Sequence, residues 1–359
     1  MPHLLVALSS HGFGHAAQTA PVVNALRHRC PDLRVTLRTT LAPAFLARRF
    51  AHPFELIGEA TDFGMHMVSA VEVDLEQSAR AYLEFHRTWE TRVRHEAERL
   101  EALAPDLILA NVPYLPLAAA ATLKIPAVGL CSLNWADIYA HYFGARVEAA
   151  EILPQIRAAY ASATAFLQPA PHMPMPDVPR RVPIGPIATR GVGAHARLRE
   201  RLNAQPRERI VQVAPGGLEL RLPIERWPVL PRVRYVVPGR WGICRADVTA
   251  FEDLGMTFPD ALSASDALIS KPGYGNFSEA GINGVPVLYV RRHDWPEEPY
   301  LVHWLEQHGT CAEVDRALLD SGELGAALAG LWARARKPVV AATGVAEATD
   351  YLASHWLQS

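Results

Sequence analysis

The sequence contains few cysteines, and they form no recognisable set. Cys30, Cys131, Cys244 and Cys311 are far apart and show no CxxC spacing. This argues against a disulfide framework and against a structural zinc site. Thiols without partners are typical of a reducing compartment, so we expect a cytoplasmic location.

Long apolar runs and runs of like charge are also missing. The apolar run Leu4–Leu8 is too short for a signal sequence or a membrane span and lacks a basic flank, so we expect a core strand and no transmembrane segment. The formal net charge of −2 is close to zero, which argues against nucleic acid as the main partner. The expected partner is a small molecule, and the sequence leaves the oligomeric state open, a homodimer included.

Half of the 359 residues are hydrophobic, so the chain can bury two cores. Short apolar strands alternate with helical patterns, which is typical of α/β proteins with parallel sheets covered on both faces. The predicted strands are Leu4–Leu8, Arg34–Arg38, Leu107–Ala110, Ala127–Leu130, Ile210–Val213, Val233–Val237, Ala267–Ile269 and Val287–Val290. The predicted helices are Ala17–Arg29, Leu75–Leu103, Leu115–Leu123, Pro259–Ala264, Asn276–Gly281, Pro299–Gln307, Leu318–Ala335 and Ala346–Trp356.

The segment from Ala170 to Pro186 is rich in proline and predicts a linker, because proline cannot continue a helix or a central strand. We therefore expect an N-terminal domain over residues 1–180 and a C-terminal domain over 181–340. Residues 341–359 are expected to form a helix that packs back on the N-terminal domain.

A glycine loop follows the predicted strand that ends at Ile269. Gly273 and Gly275 lead into a helix that we expect to begin at Asn276 or Ser278. Glycines let backbone N–H groups approach an anion, and the helix N-terminus favours negative charge. This arrangement predicts a site for the diphosphate of a nucleotide sugar, although a strand, a glycine loop and a helix also occur in α/β proteins without such a site.

Three carboxylates follow the same loop. Glu279 is expected in the first turn of the helix, where it could accept hydrogen bonds from the two hydroxyls of a ribose. Glu297 and Glu298 come after the predicted strand that ends at Val290 and offer two further acceptors.

A second glycine loop follows the first strand, where His11 and His15 flank Gly12 and Gly14. A histidine near a helix N-terminus has a lowered pKa and stays neutral at pH 7, so it can act as a general base toward a hydroxyl. We favour this role for His15. The alternatives for His15 are a structural hydrogen bond to the backbone and a metal site formed with His11. His11 could also be a second donor to a phosphate or to the acceptor, and the sequence does not decide this.

The two loops together resemble a known family. GHAAQTAPVVNAL looks like the element that opens the N-terminal domain of GT-B glycosyltransferases, which include the peptidoglycan N-acetylglucosaminyltransferase family, and SEAGINGVPVLYV with EEPYLVHWLEQHG is similar to their donor site. HGFGHA, SLNWADIY and GYG are also similar to the glycosyltransferase-like N-terminal domain of plant L-arabinokinases. No kinase phosphate loop is present, so kinase activity is not expected.

The resemblance implies a GT-B fold, with two Rossmann-like domains facing across a cleft, and a role for each matching residue. His15 falls on the catalytic base, Glu279 on the ribose-binding acid, and Glu297 and Glu298 on contacts to the donor sugar. The backbone at Phe258 would read the nucleobase. The other predicted contacts to the donor are Gly12, Gly14, Gly216, Gly217, Gly273, Tyr274, Gly275, Asn276, Ser278 and Arg291.

One residue departs from the family pattern. Asn111 stands where many relatives have the aspartate that orients the base. Asparagine can hold the ring but cannot stabilise an imidazolium, which leaves open a weaker enzyme or another carboxylate such as Asp137. Asn134 and Trp135 are interpreted either as contacts to the acceptor or as core.

The expected reaction is an inverting transfer from a UDP- or dTDP-linked sugar to an unknown hydroxyl acceptor. The leaving diphosphate needs positive charge, and no DxD motif is present, so we expect helix dipoles to provide it without a metal or other cofactor. Arg291 and Arg292 either add charge or are solvated. The alternatives are a nucleotide-sugar epimerase or hydrolase of the same fold, and a non-catalytic nucleotide-sugar-binding module.

Overall fold

Two α/β units make up the chain in a computed structural model that describes residues 1–69, 72–216, 221–292 and 294–356. Unit 1 comprises Met1–Ile187 together with the C-terminal segment that begins at Thr343, and unit 2 comprises Ala188–Ala342. Each unit contains its own parallel sheet. In both sheets nearly all residues of the central strands are buried, which explains why these strands are mostly apolar.

Unit 1 contains a sheet with the strand order β3-β2-β1-β6-β7-β8-β9 and a separate antiparallel pair, β4 and β5. Its strands are β1 His3–Leu8, β2 Arg34–Arg38, β3 Glu55–Ile57, β4 Met67–Ser69, β5 Glu72–Val73, β6 Leu107–Asn111, β7 Ala127–Leu130, β8 Ala165–Pro169 and β9 Arg181–Ile184. Its helices are α1 Phe13–Arg29, α2 Pro43–Arg49, α3 Leu75–Arg87, α4 Trp89–Leu103, α5 Leu115–Leu123, α6 Trp135–Phe143, α7 Ala149–Ser162 and α14 Gly344–Trp356.

Unit 2 contains a sheet with the strand order β12-β11-β10-β13-β14-β15. Its strands are β10 Arg209–Val213, β11 Val233–Val237, β12 Val248–Ala250, β13 Ala267–Ser270, β14 Val287–Tyr289 and β15 Cys311–Glu313. Its helices are α8 His195–Arg201, α9 Phe258–Ser263, α10 Tyr274–Asn283, α11 Glu298–His308, α12 Arg316–Ser321 and α13 Gly325–Ala333.

The proline-rich segment predicted as a linker belongs to unit 1 instead. Its residues Arg181–Ile184 form β9, which pairs in parallel with β8. Pro183 is tolerated because β9 is the outermost strand of the sheet, so one side of its backbone has no neighbouring strand to bond. The sequence pattern excluded a central strand correctly but could not reveal an edge strand.

The C-terminal helix α14 packs against α1, as predicted. Arg29 of α1 forms an ion pair with Asp350 of α14. The backbone N–H of Gly185 donates to Glu347 Oε2 at 2.6 Å. Gly344 lies so close to the Gly185 backbone that a Cβ added to Gly344 would be 2.1 Å from the Gly185 carbonyl oxygen. The last helix is therefore an integral part of unit 1.

Two of the long predicted helices are interrupted. Leu75–Leu103 divides into α3 and α4 at Thr88, whose backbone leaves the helical region. Leu318–Ala335 divides into α12 and α13 after Gly322, which ends α12 in a left-handed conformation with φ 73°. Within the described residues, no helix combines the length and apolar character needed to cross a bilayer.

Candidate active site

The first candidate site, called the histidine site, contains His11, His15, Asn111 and Trp135. β1 and β6 are neighbouring parallel strands, and their register pairs Leu8 with Asn111. The loop that leaves β1 enters α1 two residues before His15. The side chain of Asn111 therefore reaches His15, with 2.9 Å between Asn111 Oδ1 and His15 Nδ1. The structure thus brings together the two residues for which a catalytic role is predicted.

The surroundings of Asn111 fix the tautomer of His15. Asn111 Nδ2 donates to Thr19 Oγ1 at 3.0 Å and to Gln18 Oε1 at 3.1 Å. Gln18 uses its own N–H group on Ser132, and the Thr19 hydroxyl donates to the His15 carbonyl, so both are acceptors toward Asn111. The Oδ1 of Asn111 must then face His15 and accept the Nδ1 proton. In the neutral ring, Nε2 is left with a lone pair and can accept a proton.

Burial keeps this ring neutral. Burial lowers the pKa of His15, and the hydrogen bond to Asn111 raises it by a smaller amount. The lowered pKa agrees with the prediction, but the predicted cause, the helix dipole, is not the main one. Cys131 Sγ also lies 3.8 Å from Nδ1. The alternative carboxylate, Asp137, accepts at Oδ2 from Asn134 Nδ2 at 3.0 Å. Asn134 also caps α6 by accepting from the Asp137 backbone N–H at 2.9 Å.

A carboxylate that the sequence analysis did not identify lies close to the same site. Asp62 is buried, and its Oδ2 accepts the Trp135 indole N–H at 2.7 Å. The Trp135 ring meets the His11 ring edge to face, with 5.3 Å between centroids. Burial raises the pKa of Asp62 to about 6. Trp135 itself is 0% exposed, so of its two interpretations the structure supports core.

Both glycines of this loop leave open space beside α1. A Cβ at Gly12 or Gly14 would meet no atom of the described chain within 4 Å. Gly12 is extended and precedes α1 without capping it through a side chain. There is therefore room for a ligand at the start of this helix.

The second candidate site, called the glycine-loop site, is formed by residues 214–216 and 270–276. α10 begins at Tyr274, earlier than predicted, and Gly273 precedes it. Asn276 and Ser278 do not cap the helix, because Asn276 Nδ2 donates to Ala214 O at 2.6 Å and Ser278 Oγ donates to Tyr274 O at 2.7 Å. The N-cap residue is Gly273, which has no side chain that could bond to the first turn, and the amide dipoles of that turn can serve an anion.

The loop after β10 completes this site. Gly216 is exposed and adopts φ 94°, a conformation that favours glycine. Gly217, predicted beside it, lies outside the described residues. Lys271, which the sequence analysis did not single out, is 7% exposed, and a Cβ at Gly216 would lie 3.7 Å from its Nζ. A Cβ at Gly275 would meet nothing within 4 Å.

The predicted carboxylates are placed differently from expectation. Glu279 lies in the second turn of α10 rather than the first, since the helix begins earlier. Glu297 and Glu298 are both buried. Glu297 Oε2 accepts the Trp295 indole N–H at 3.3 Å. Glu298 Oε2 accepts the Arg292 backbone N–H at 2.8 Å. Each of these two carboxylates therefore already has a protein partner.

The remaining predicted contacts are Phe258 and Arg291. Phe258 is the first residue of α9 and is half-buried against Phe251, with 6.1 Å between ring centroids. Arg291 is exposed and pairs with Glu313 at 2.8 Å. No three His, Cys, Asp or Glu side chains in the described ranges converge in a way that could hold a metal ion.

Comparison with known proteins addresses the fold. No model of a known protein family matches the chain. Among curated proteins, the chain is similar to the L-arabinokinase of Arabidopsis thaliana, with 27% identity and 89% of this chain covered. The chain spans 31% of the length of that protein.

Several solved structures match nearly the whole chain. The calicheamicin glycosyltransferase CalG4 shares 18% identity at a TM-score of 0.63, covering 99% of this chain and 94% of that chain. The chain has the GT-B fold. A UDP-N-acetylglucosamine 2-epimerase matches with 14% identity, a TM-score of 0.57 and coverage of 99% and 96%. The spinosyn rhamnosyltransferase SpnG complexed with thymidine diphosphate matches with 18% identity, a TM-score of 0.55 and coverage of 99% and 95%.

These matches confirm the predicted GT-B fold. At such low identities the GT-B fold by itself does not define an activity, because one fold carries several chemistries. The solved structures include both sugar transferases and an epimerase. The activity must therefore be argued from the two sites.

Proposed function

We propose that this protein is a glycosyltransferase that moves a sugar from a nucleoside-diphosphate sugar to a hydroxyl acceptor. The observation that supports this most directly is the hydrogen bond between His15 Nδ1 and Asn111 Oδ1. A neutral ring whose Nδ1–H is held by Asn111 offers Nε2 as a proton acceptor, and Gly12 and Gly14, which precede His15, leave open space at the start of α1. A hydroxyl nucleophile needs such a base.

The proposed reaction is a single displacement. His15 Nε2 accepts the hydroxyl proton while the acceptor oxygen bonds to the anomeric carbon and the carbon–oxygen bond to the diphosphate breaks. One displacement inverts the configuration at that carbon. The diphosphate leaves with negative charge, which the N-terminus of α10 can stabilise without a metal or other cofactor.

The proposed donor is a UDP- or dTDP-linked sugar. SpnG, which shares the fold, is complexed with thymidine diphosphate, and the similar epimerase is named for a UDP-sugar. In this chain, Glu279 would accept from the ribose, and the backbone at Phe258 would contact the base. These assignments follow the motif positions in the sequence.

A nucleotide-sugar epimerase is the second candidate. It is favoured by the match to a UDP-N-acetylglucosamine 2-epimerase over nearly the whole chain. It would use the same glycine-loop site for the diphosphate. Asn111 also favours a slow transferase or a binding protein, because an amide cannot stabilise an imidazolium.

One experiment separates these candidates. The purified chain is incubated with a panel of UDP- and dTDP-sugars, with and without a mixture of hydroxyl acceptors. Anion-exchange chromatography measures nucleoside diphosphate, and NMR follows the anomeric proton of the sugar. Acceptor-dependent release with inversion supports the transferase. Release without acceptor indicates a hydrolase, a changed sugar with intact diphosphate indicates an epimerase, and binding without turnover indicates a sensor.

A further inference from the structure

Lys271 is a buried lysine at the entrance of the glycine-loop site. It directly follows β13 and precedes Pro272 and Gly273, which lead into α10. Only 7% of its surface is exposed, whereas lysines are rarely buried without a partner. None of the described residues forms a hydrogen bond with its Nζ or a salt bridge within 4.0 Å of it. A buried amine without a partner in the described protein is a candidate contact for a ligand.

The two carboxylates whose charge acts on Lys271 form hydrogen bonds with other groups. Glu297 and Glu298 raise the pKa of Lys271, but Glu297 accepts from Trp295 and Glu298 from the Arg292 backbone. Burial is the largest influence on the pKa of Lys271 and, together with the nearby charge of Arg292, lowers it to about 7. The protein by itself therefore does not hold Lys271 firmly in its charged form.

The position of Nζ points to an anion. Gly216 lies so near that a Cβ added to it would be 3.7 Å from Nζ, and α10 begins three residues after Lys271, directly behind the N-cap glycine Gly273. Asn276 ties the two loops together by donating to Ala214 O at 2.6 Å and to Ser270 Oγ at 2.8 Å. An amine and a helix N-terminus are thus held beside one another on a fixed loop pair. Two adjacent phosphates fit such a pair of positive groups.

We propose that Lys271 binds the diphosphate of the nucleotide through its ammonium group and acts with the N-terminus of α10 as the positive charge of the donor site. This inference rests on the proposed function, since it takes the ligand to be a nucleoside diphosphate. During transfer the ammonium donates hydrogen bonds to the departing diphosphate, and no covalent bond to the lysine forms or breaks.

Proton uptake on binding is a consequence of this contact. Above pH 7 the free amine is largely neutral, because the pKa of Lys271 is about 7, and a bound diphosphate favours the charged form. Binding therefore takes up close to one proton at pH 8, and affinity falls as pH rises. Among the charged groups around Lys271, Arg292 lowers the pKa of the amine, and Glu297 and Glu298 raise it. Burial raises the pKa of Glu298 itself. The diphosphate itself ionises near pH 6, below this window.

The test is isothermal titration calorimetry on the full chain with UDP and dTDP, and with uridine as a ligand without phosphates. At pH 8, two buffers of different ionisation enthalpy count the protons taken up by the wild type. Lys271→Met is expected to weaken UDP binding about 10- to 100-fold and to leave uridine unchanged. Lys337→Met removes an exposed lysine of the same unit and is the matched control, with no change expected.

The outcomes separate the two proposals. A wild type that binds neither nucleoside diphosphate overturns the proposed function and this inference together. Binding of UDP that is equally tight in Lys271→Met overturns this inference alone. If that variant does not fold, as judged by its melting transition, Lys271→Gln is measured in its place, and UDP binding as tight as that of the wild type contradicts a role for the amine.

Discussion

Replacing His15 by asparagine separates its predicted catalytic role from its structural one. The amide nitrogen of an asparagine side chain occupies nearly the position of histidine Nδ1 and can donate to Asn111 Oδ1, to which Nδ1 is bonded at 2.9 Å. It offers nothing in place of Nε2. Replacement by alanine removes both the donor and the base. His15→Asn therefore keeps the hydrogen bond to Asn111 and His15→Ala loses it, whereas both variants lack the base.

The expected magnitudes follow from these contacts. Loss of a general base lowers turnover by about 10²- to 10⁴-fold, and we expect this loss in both variants. In His15→Ala, Asn111 Oδ1 stays buried without its donor, which costs about 1–3 kcal/mol of unfolding free energy. In His15→Asn the bond is restored, and the unfolding free energy should change by less than about 1 kcal/mol. Nucleotide affinity should stay within a few-fold in both, because His15 lies in unit 1 and the glycine-loop site in unit 2.

The measurements are urea denaturation and the initial rate of acceptor-dependent nucleoside diphosphate release at saturating donor. His15→Asn is the decisive variant, since its stability can be compared directly with that of the wild type. If it folds normally and turns over within a few-fold of wild type, Nε2 is not the base. His15 would then be a structural residue that ties α1 to β6.

Two further predictions concern Asn111 and His86. Asn111→Asp should raise the pKa of His15 and move the acid limb of the pH–turnover profile to higher pH. The same change replaces the donor to Gln18 and Thr19 by an acceptor, so we expect the unfolding free energy measured in urea to fall by about 2–4 kcal/mol. An unchanged pH profile would show that Asn111 does not control the pKa of His15. Burial lowers the pKa of His86 to about 4, below its usual 6.5. The neutral His86 ring therefore contributes fully to the unfolding free energy above pH 6.5, and about 3 kcal/mol of that contribution is lost as the pH falls toward 4. Denaturation at a series of pH values should show a steeper loss in wild type than in His86→Gln, and parallel curves would refute the assignment.

Part of the element order and the location of both loops could be predicted from the sequence. The short or outer strands β3–β5, β8, β9, β12 and β15 and the helices α2 and α6–α8 were not predicted. Arg34–Arg38, Leu115–Leu123, Ala127–Leu130 and Val233–Val237 have the bounds that the sequence pattern predicts. These segments carry strong local signals, namely apolar runs between turn residues and helical spacing. The hydrogen bond between Asn111 and His15 agrees with the expectation that asparagine can hold the ring. Asn111 ends β6 and His15 follows β1, and the carboxyl ends of these two parallel strands lie at one sheet edge.

Contacts between distant segments were settled by the tertiary structure. The tautomer of His15 depends on Gln18 and Thr19 facing Asn111, and the carboxylate beside the histidine site comes from Asp62 in a loop without a sequence signature. The sequence contains Lys271 but does not show that it is buried beside Gly216. Periodicity acts over a few residues and therefore determines the strands, helices and loops. Burial, hydrogen-bond partners and pKa depend on which remote side chains the packed chain brings together, so they are decided only when the fold has formed.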